Sequence, residues 1–123
     1  MTKKVLNVGQ CNPDHSSICN FLEQHFDVTI DRTHQADDTL EQLRATSYDL
    51  VLINRKLDID YTEGTEILRI IKSDAELQKI PVMIISNFAE AQEAAVTEGA
   101  TYGFGKNEYN EPDVVERLKK VLG

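Results

Sequence analysis

The sequence predicts an α/β fold built on a doubly wound parallel sheet with helices on both faces. Three observations predict it. Short β-branched apolar runs alternate with helical patterns about five times along the chain. Two of those runs, residues 50–53 and 82–85, are continuous rather than alternating, as strands buried on both faces are. No Pro/Gly/Ser-rich linker, internal repeat or low-complexity stretch interrupts the 123 residues. Such alternation implies right-handed crossovers in one sheet and one domain over residues 1–123.

The elements follow in order. The first strand is expected at residues 5–8, before a helix whose apolar face is Ile18, Phe21, Leu22 and Phe26. A second strand at 28–30 leads to a helix lined by Ala36, Leu40 and Leu43. The third strand, 50–53, precedes a helix with a wide stripe of Ile67, Leu68, Ile70 and Ile71. The fourth, 82–85, precedes an Ala-rich helix marked by Ala91, Ala94, Ala95 and Val96. A weaker fifth strand is expected at 102–104. The last helix carries Val114, Val115, Leu118, Val121 and Leu122 at i, i+3/4, i+7 spacing. Asn110 as cap, Pro112 in the first turn and Asp113 signal its start.

Composition narrows the function. The 41% apolar content, without Trp, suits one aliphatic core. No apolar run reaches the ~18–20 residues of a membrane span, and the N-terminus lacks the apolar region of a signal peptide, so a cytoplasmic protein is expected. A formal net charge of −8 argues against a sequence-independent nucleic-acid binder, which needs a basic patch. Cys11 and Cys19 are too few for a disulfide scaffold. Cys11, His15 and Cys19 recur every fourth residue. Pro13 and Asp14 nevertheless look like a helix start that leaves Cys11 in a loop, so ordinary thiols are expected rather than zinc ligands.

In a doubly wound sheet, ligands bind at the carboxyl ends of the strands. Gly9 and Gln10 follow the first strand; Asn54, Arg55 and Lys56 follow the third, ahead of an acidic loop with Asp58, Asp60 and Glu63. Ser86 and Asn87 follow the fourth, and Gly105, Lys106 and Asn107 the fifth.

These residues sit in stretches that resemble a known family. Asp49-Leu50-Val51-Leu52-Ile53-Asn54 resembles the motif that ends in the phosphorylated aspartate of response-regulator receiver domains. Ile80-Pro81-Val82-Met83-Ile84-Ile85-Ser86 resembles the receiver strand that ends in Ser or Thr. Gly99 to Lys106 is similar to the stretch that carries the receiver lysine, and Gly64 to the glycine that opens the third helix. The resemblance spans the whole chain and implies a flavodoxin-like receiver fold, five parallel strands in order 2-1-3-4-5. It also implies a role in two-component or phosphorelay signalling, without enzymatic turnover.

The chain departs from that family at the working positions. The acidic pair is replaced by Gly9 and Gln10, and the phosphoacceptor by Asn54; only Ser86 and Lys106 are retained. The loop after Asn54 is about two residues longer and lacks the usual proline. Asn107 stands where the family has proline after the lysine, and Gly103 stands at the aromatic switch position. An amide oxygen cannot form the acyl phosphate, and Mg²⁺ binds through carboxylates together with phosphate. A degenerate pseudo-receiver is therefore expected, one that holds no metal or cofactor and acts by protein–protein interaction. In it, Asn54, Gln10, Lys106 and Ser86 are expected to pair with one another in a quiet pocket, with Ser86 capping the fourth helix.

Two alternatives remain open: an active receiver using Asp58, Asp60 or Glu63, and a small flavodoxin-like carrier or enzyme. The second lacks a phosphate loop, a Gly-x-Gly-x-x-Gly pattern and a nucleophile–base pair. The resemblance implies that a signalling partner docks on the face of the fourth helix, fifth strand and last helix, with Glu90, Glu93, Tyr102, Phe104, Arg117 and Lys120 as candidates. Glu98 and Lys119 add charge to those two helices. Opposite charges on neighbouring helices suit a two-fold homodimer.

Overall fold

The computed structural model describes residues 2–109 and 111–123. Its elements run β1 (Lys3–Val8), α1 (Asn12–His25), β2 (Val28–Thr33), α2 (Ala36–Ala45), β3 (Leu50–Asn54), α3 (Gly64–Ser73), β4 (Val82–Ile85), α4 (Ala89–Thr97) and α5 (Pro112–Leu122). The four strands are parallel in order β2-β1-β3-β4. Alternation along the strands divides the interior. Leu6, Val8, Val51, Ile53 and Ile84 face α2, α3 and α4 through Leu43, Ile67, Leu68, Ile71 and Ala95. Val5, Leu50, Leu52 and Met83 face α1 and α5 through Ile18, Phe21, Leu22, Val114, Leu118 and Leu122. Each fully buried aliphatic side chain contributes roughly 1.5–3 kcal/mol, so two such layers account for the driving force.

The apolar stripes are narrower than the sequence suggests. Ile70 is 41% exposed at the rim of α3. In α4, Val96 is 43% exposed, and the buried face is Ala95 together with the polar Gln92. The N-cap of α5 is Glu111; Asn110, the expected cap, lies outside the described residues. Among the described residues, no helix is long and apolar enough to cross a membrane.

The expected fifth strand is not formed; one parallel bridge, Ile85 to Phe104, remains of it. Residues 101–104 do run beside β4, with Thr101 N–H donating to Val82 O (2.8 Å) and Ser86 N–H to Phe104 O (3.0 Å). Between these two bonds the Gln92 carboxamide is inserted. Its Nε2 donates to Ile84 O (2.8 Å) and Ser86 O (3.1 Å), and its Oε1 accepts from Gly103 N–H (2.8 Å). The backbone groups that a fifth strand would pair are satisfied by a side chain instead, as buried groups must be. Glycine is required at 103, because a Cβ there would collide with the Ile84 carbonyl oxygen.

Candidate functional site

The carboxyl ends of β1, β3 and β4 converge, as the parallel sheet requires, on Gly9, Asn54 and Ser86. Gly9 turns the chain out of β1 with φ +74°, a conformation disfavoured for any residue with a Cβ. The space where a side chain at position 9 would project is filled by Leu57, which is buried at the start of the loop after β3. The Gly9 carbonyl accepts two hydrogen bonds, from Asn54 Nδ2 (3.0 Å) and from the Asp58 backbone N–H (3.1 Å). Asn54 is thus tied to the backbone of β1.

Gln10 is fully buried, and among the described residues neither end of its carboxamide has a hydrogen-bond partner. The expected network of Gln10, Asn54, Ser86 and Lys106 is therefore not present. Gln10 points an unpaired amide into the interior, and Asn54 pairs with a carbonyl. Ser86 does not cap α4 in the usual position. Its Oγ accepts from Phe88 N–H (3.2 Å), and Phe88 is the N-cap residue.

Lys106 takes a partner that local sequence does not suggest. Its Nζ donates to Oδ2 of Asp14, in the first turn of α1, at 2.7 Å. The lysine holds the Asp14 carboxyl below the usual carboxylate range, partly offset by burial, with a further contribution from a Cys11 hydrogen bond. Tyr109 lies beside this pair. Burial, with the Asp14 charge adding to it, pushes its phenol up to about 12. Its ring stacks on Phe21 at 5.0 Å, and its hydroxyl is buried without a partner among the described residues.

The acidic loop is spent locally. A bridge between Lys56 and Glu63 closes it, with their side chains 3.8 Å apart. Asp60 Oδ1 accepts from Thr62 N–H (3.0 Å), a turn bond that lowers the Asp60 pKa. Asp58 keeps one buried carboxylate oxygen unpartnered. On the other side of β1, Asn7 Nδ2 donates to His15 Nδ1 (2.9 Å), and Cys19 Sγ lies 3.5 Å from His15 Nε2. Cys11 stands at the N-cap of α1, one residue before its first turn. Burial, with Arg32 and His34 nearby, lowers the His15 pKa. Among the described residues, no three His, Cys, Asp or Glu side chains converge as metal ligands would.

The expected partner face is altered. Phe104 is 1% exposed and packs in the α1/α5 core, so it cannot contact a partner. Arg117 is turned inward, donating to Gly103 O and lying 5.0 Å from the Tyr102 ring centroid. Glu98 pairs with Arg69 of α3 and Lys119 with Glu116. Glu90, Glu93 and Lys120 are exposed, and Tyr102 is 39% exposed. Asp14, Leu57, Arg55 and Gln92 gain importance that sequence reasoning did not assign. Only the Arg55-Lys56 pair directly after β3 carried a signal, as two adjacent cations at a ligand-binding strand end.

No family model matches the chain. It is 27% identical over 124 residues to the polar-differentiation response regulator DivK of Brucella ovis, covering 100% of this chain and 98% of that protein. The fold is similar to the signal receiver domain of a DNA-binding response regulator from Colwellia psychrerythraea, with a TM-score of 0.76 and 21% identity over 96% of both chains. It is also similar to the chemotaxis response regulator CheY4 of Vibrio cholerae, with a TM-score of 0.73, 14% identity and coverage of 99% and 100%.

Proposed function

We propose that this chain, a receiver-domain protein of the response-regulator family, signals by binding a partner without being phosphorylated. One observation carries the reading: the Asn54 amide donates to the Gly9 carbonyl while Leu57 fills the space beside it. A phosphoacceptor has to be a carboxylate open to an incoming phosphoryl group. Asn54 is not a carboxylate, and its amide N–H is engaged by the Gly9 carbonyl. Magnesium does not fit the residues present, because Gly9 offers no side-chain ligand, Gln10 is buried, and Asn54 supplies a neutral amide oxygen in place of a carboxylate. Lys106 is neutralised by Asp14, so the pocket holds its own internal anion.

The reading takes residues 1–123 as one cytoplasmic module with no catalytic turnover. Its partner surface is the outer side of α4 and α5, where Glu90 and Glu93 on one helix and Lys120 on the other are exposed. Tyr102, held under Arg117, supplies the apolar contact between them. A two-fold pairing of that face would set acidic α4 against basic α5. Incubation with acetyl phosphate and Mg²⁺, followed by intact mass spectrometry, tests the reading. No adduct is expected. A stoichiometric phosphate mapped to Asp58, Asp60 or Glu63 would establish an unorthodox acceptor instead.

A further inference from the structure

β1 buries a polar residue where the alternation of its neighbours calls for an apolar one. Asn7 shares the α1 side of the sheet with Val5, and it is 0% exposed. Its register partner in β2 is Arg32, which enters no ion pair among the described residues. Against them, His15 and Cys19 stand one turn apart on α1, beside the buried Ile18 and Leu22. Asn7 Nδ2 lies 2.9 Å from His15 Nδ1, and Cys19 Sγ lies 3.5 Å from His15 Nε2. Asn7 Oδ1, Arg32 Nε and His34 Nδ1 are buried without partners among the described residues.

The two contacts set the charge of the imidazole. An amide N–H on Nδ1 needs a lone pair there, so the ring proton sits on Nε2 and faces the Cys19 sulfur, a weak acceptor. A second proton would set N–H against N–H at 2.9 Å. It would also add a cation beside Arg32 of β2 and His34 of the turn after β2. Cys19 is the titratable group facing the ring from α1 itself, and β1 supplies only the neutral Asn7. Asp14, next in the chain, is held by Lys106, and no carboxylate pairs with His15 among the described residues.

We infer that His15 is a proton-operated latch: neutral, it fastens α1 to β1 through Asn7; protonated, it reverses the Asn7 carboxamide and loosens the first two turns of α1. Reversal brings Oδ1, idle in the neutral form, onto the new Nδ1–H and leaves Nδ2 idle in its turn. The hydrogen bond is replaced, while the repulsion from Arg32 remains. The same turns carry Asp14, the anchor of Lys106, so the loosening reaches the strand ends. Burial, then Arg32 and His34, hold the His15 pKa below 6.5. The unfolded chain therefore takes up this proton first, so stability is full above 6.5 and falls as pH drops from there through the folded value. The inference concerns α1 alone and stands whichever face a partner takes.

NMR titration of the full chain from about pH 8 to 5 tests it. The His15 ring is expected to titrate below 6.5, with the Asn7 side-chain amide resonances shifting at the same midpoint. Amide exchange over residues 14–19, corrected for its intrinsic pH dependence, is expected to accelerate across that midpoint. His15→Gln keeps an acceptor for Asn7 and is expected to abolish the Asn7 shift and the faster exchange, whereas His34→Gln should retain both. Arg32→Gln, which removes the neighbouring cation, is expected to move the midpoint up toward 6.5. A His15 midpoint at or above 6.5 in the parent would overturn the inference. So would Asn7 resonances that ignore it, exchange over 14–19 that does not change, or changes that survive His15→Gln and vanish in His34→Gln.

Discussion

Lys106 Nζ and Asp14 Oδ2 lie 2.7 Å apart across 92 positions of sequence, joining the first turn of α1 to the turn that precedes α5. The pair is partly exposed, at 28% for the lysine side chain and 37% for the aspartate. Asp14→Asn should therefore lower stability by no more than about 1 kcal/mol at neutral pH. The folded carboxyl titrates below its unfolded value of 3.8, so the stabilisation is complete above that value and is lost as pH falls through the folded one. Urea unfolding of both proteins at pH 7 and near pH 3 should show the difference shrinking in acid.

Asn54→Asp should not create a phosphoacceptor. It replaces a donor 3.0 Å from the Gly9 carbonyl oxygen with an anion, which leaves that oxygen facing like charge. A loss of about 1–3 kcal/mol is expected, the scale of a part-buried polar group left unpaired. Thermal unfolding measures the loss, and intact mass after acetyl phosphate treatment should show no adduct.

Restoring all three acids, with Gly9→Asp and Gln10→Asp added, should cost more than Asn54→Asp alone. Position 9 has φ +74°, and the new Cβ would strike Leu57, so backbone strain adds of order 1–3 kcal/mol. Added Mg²⁺ should not recover this part of the loss, because it is steric. A return to parental stability in Mg²⁺ would show that Leu57 yields and the pocket reforms.

Gln92→Leu should be the most damaging single change on α4. It keeps the size of the side chain but makes it apolar, and strips partners from Ile84 O and Gly103 N–H, both buried. A loss of about 2–4 kcal/mol is expected from leaving these groups unsatisfied. Amide exchange at Gly103, slow in the parent, should accelerate in the variant.

Tyr109 should stay un-ionised well past the ordinary tyrosine range, with its phenol pushed up to about 12. A phenol raised in the folded state stabilises it fully below the unfolded pKa of ~10, and that contribution is lost as pH rises toward 12. Ultraviolet titration should resolve two late-ionising tyrosines among four, because burial and the Asp31 hydrogen bond raise Tyr48 as well, with Tyr109 the last. The Tyr109 transition should coincide with alkaline loss of the near-ultraviolet circular dichroism.

The strands β1, β3 and β4 are legible in the sequence because burial on both faces writes apolar runs, while their order in the sheet is legible only through the family resemblance. The fifth strand is not legible as absent. Tyr102-Gly103-Phe104 has strand character, and what displaces it is an amide from a different element, twelve residues upstream of Phe104. The pocket was legible as a set of losses. What fills it was not, since Leu57 and Asp14 reach the site through tertiary placement, and neither position carries a local pattern that points there.

Gln92 also bears on how the molecule behaves in company. A parallel sheet that stops at β4 would ordinarily present an open edge, a template on which another extended chain can add and from which aggregation spreads. Here Gly103 has its N–H taken by Gln92 and its C=O by Arg117, and Ile84 O is taken as well. At these residues the border of the sheet has no free backbone group to offer, so two side chains seal the rim against strand addition.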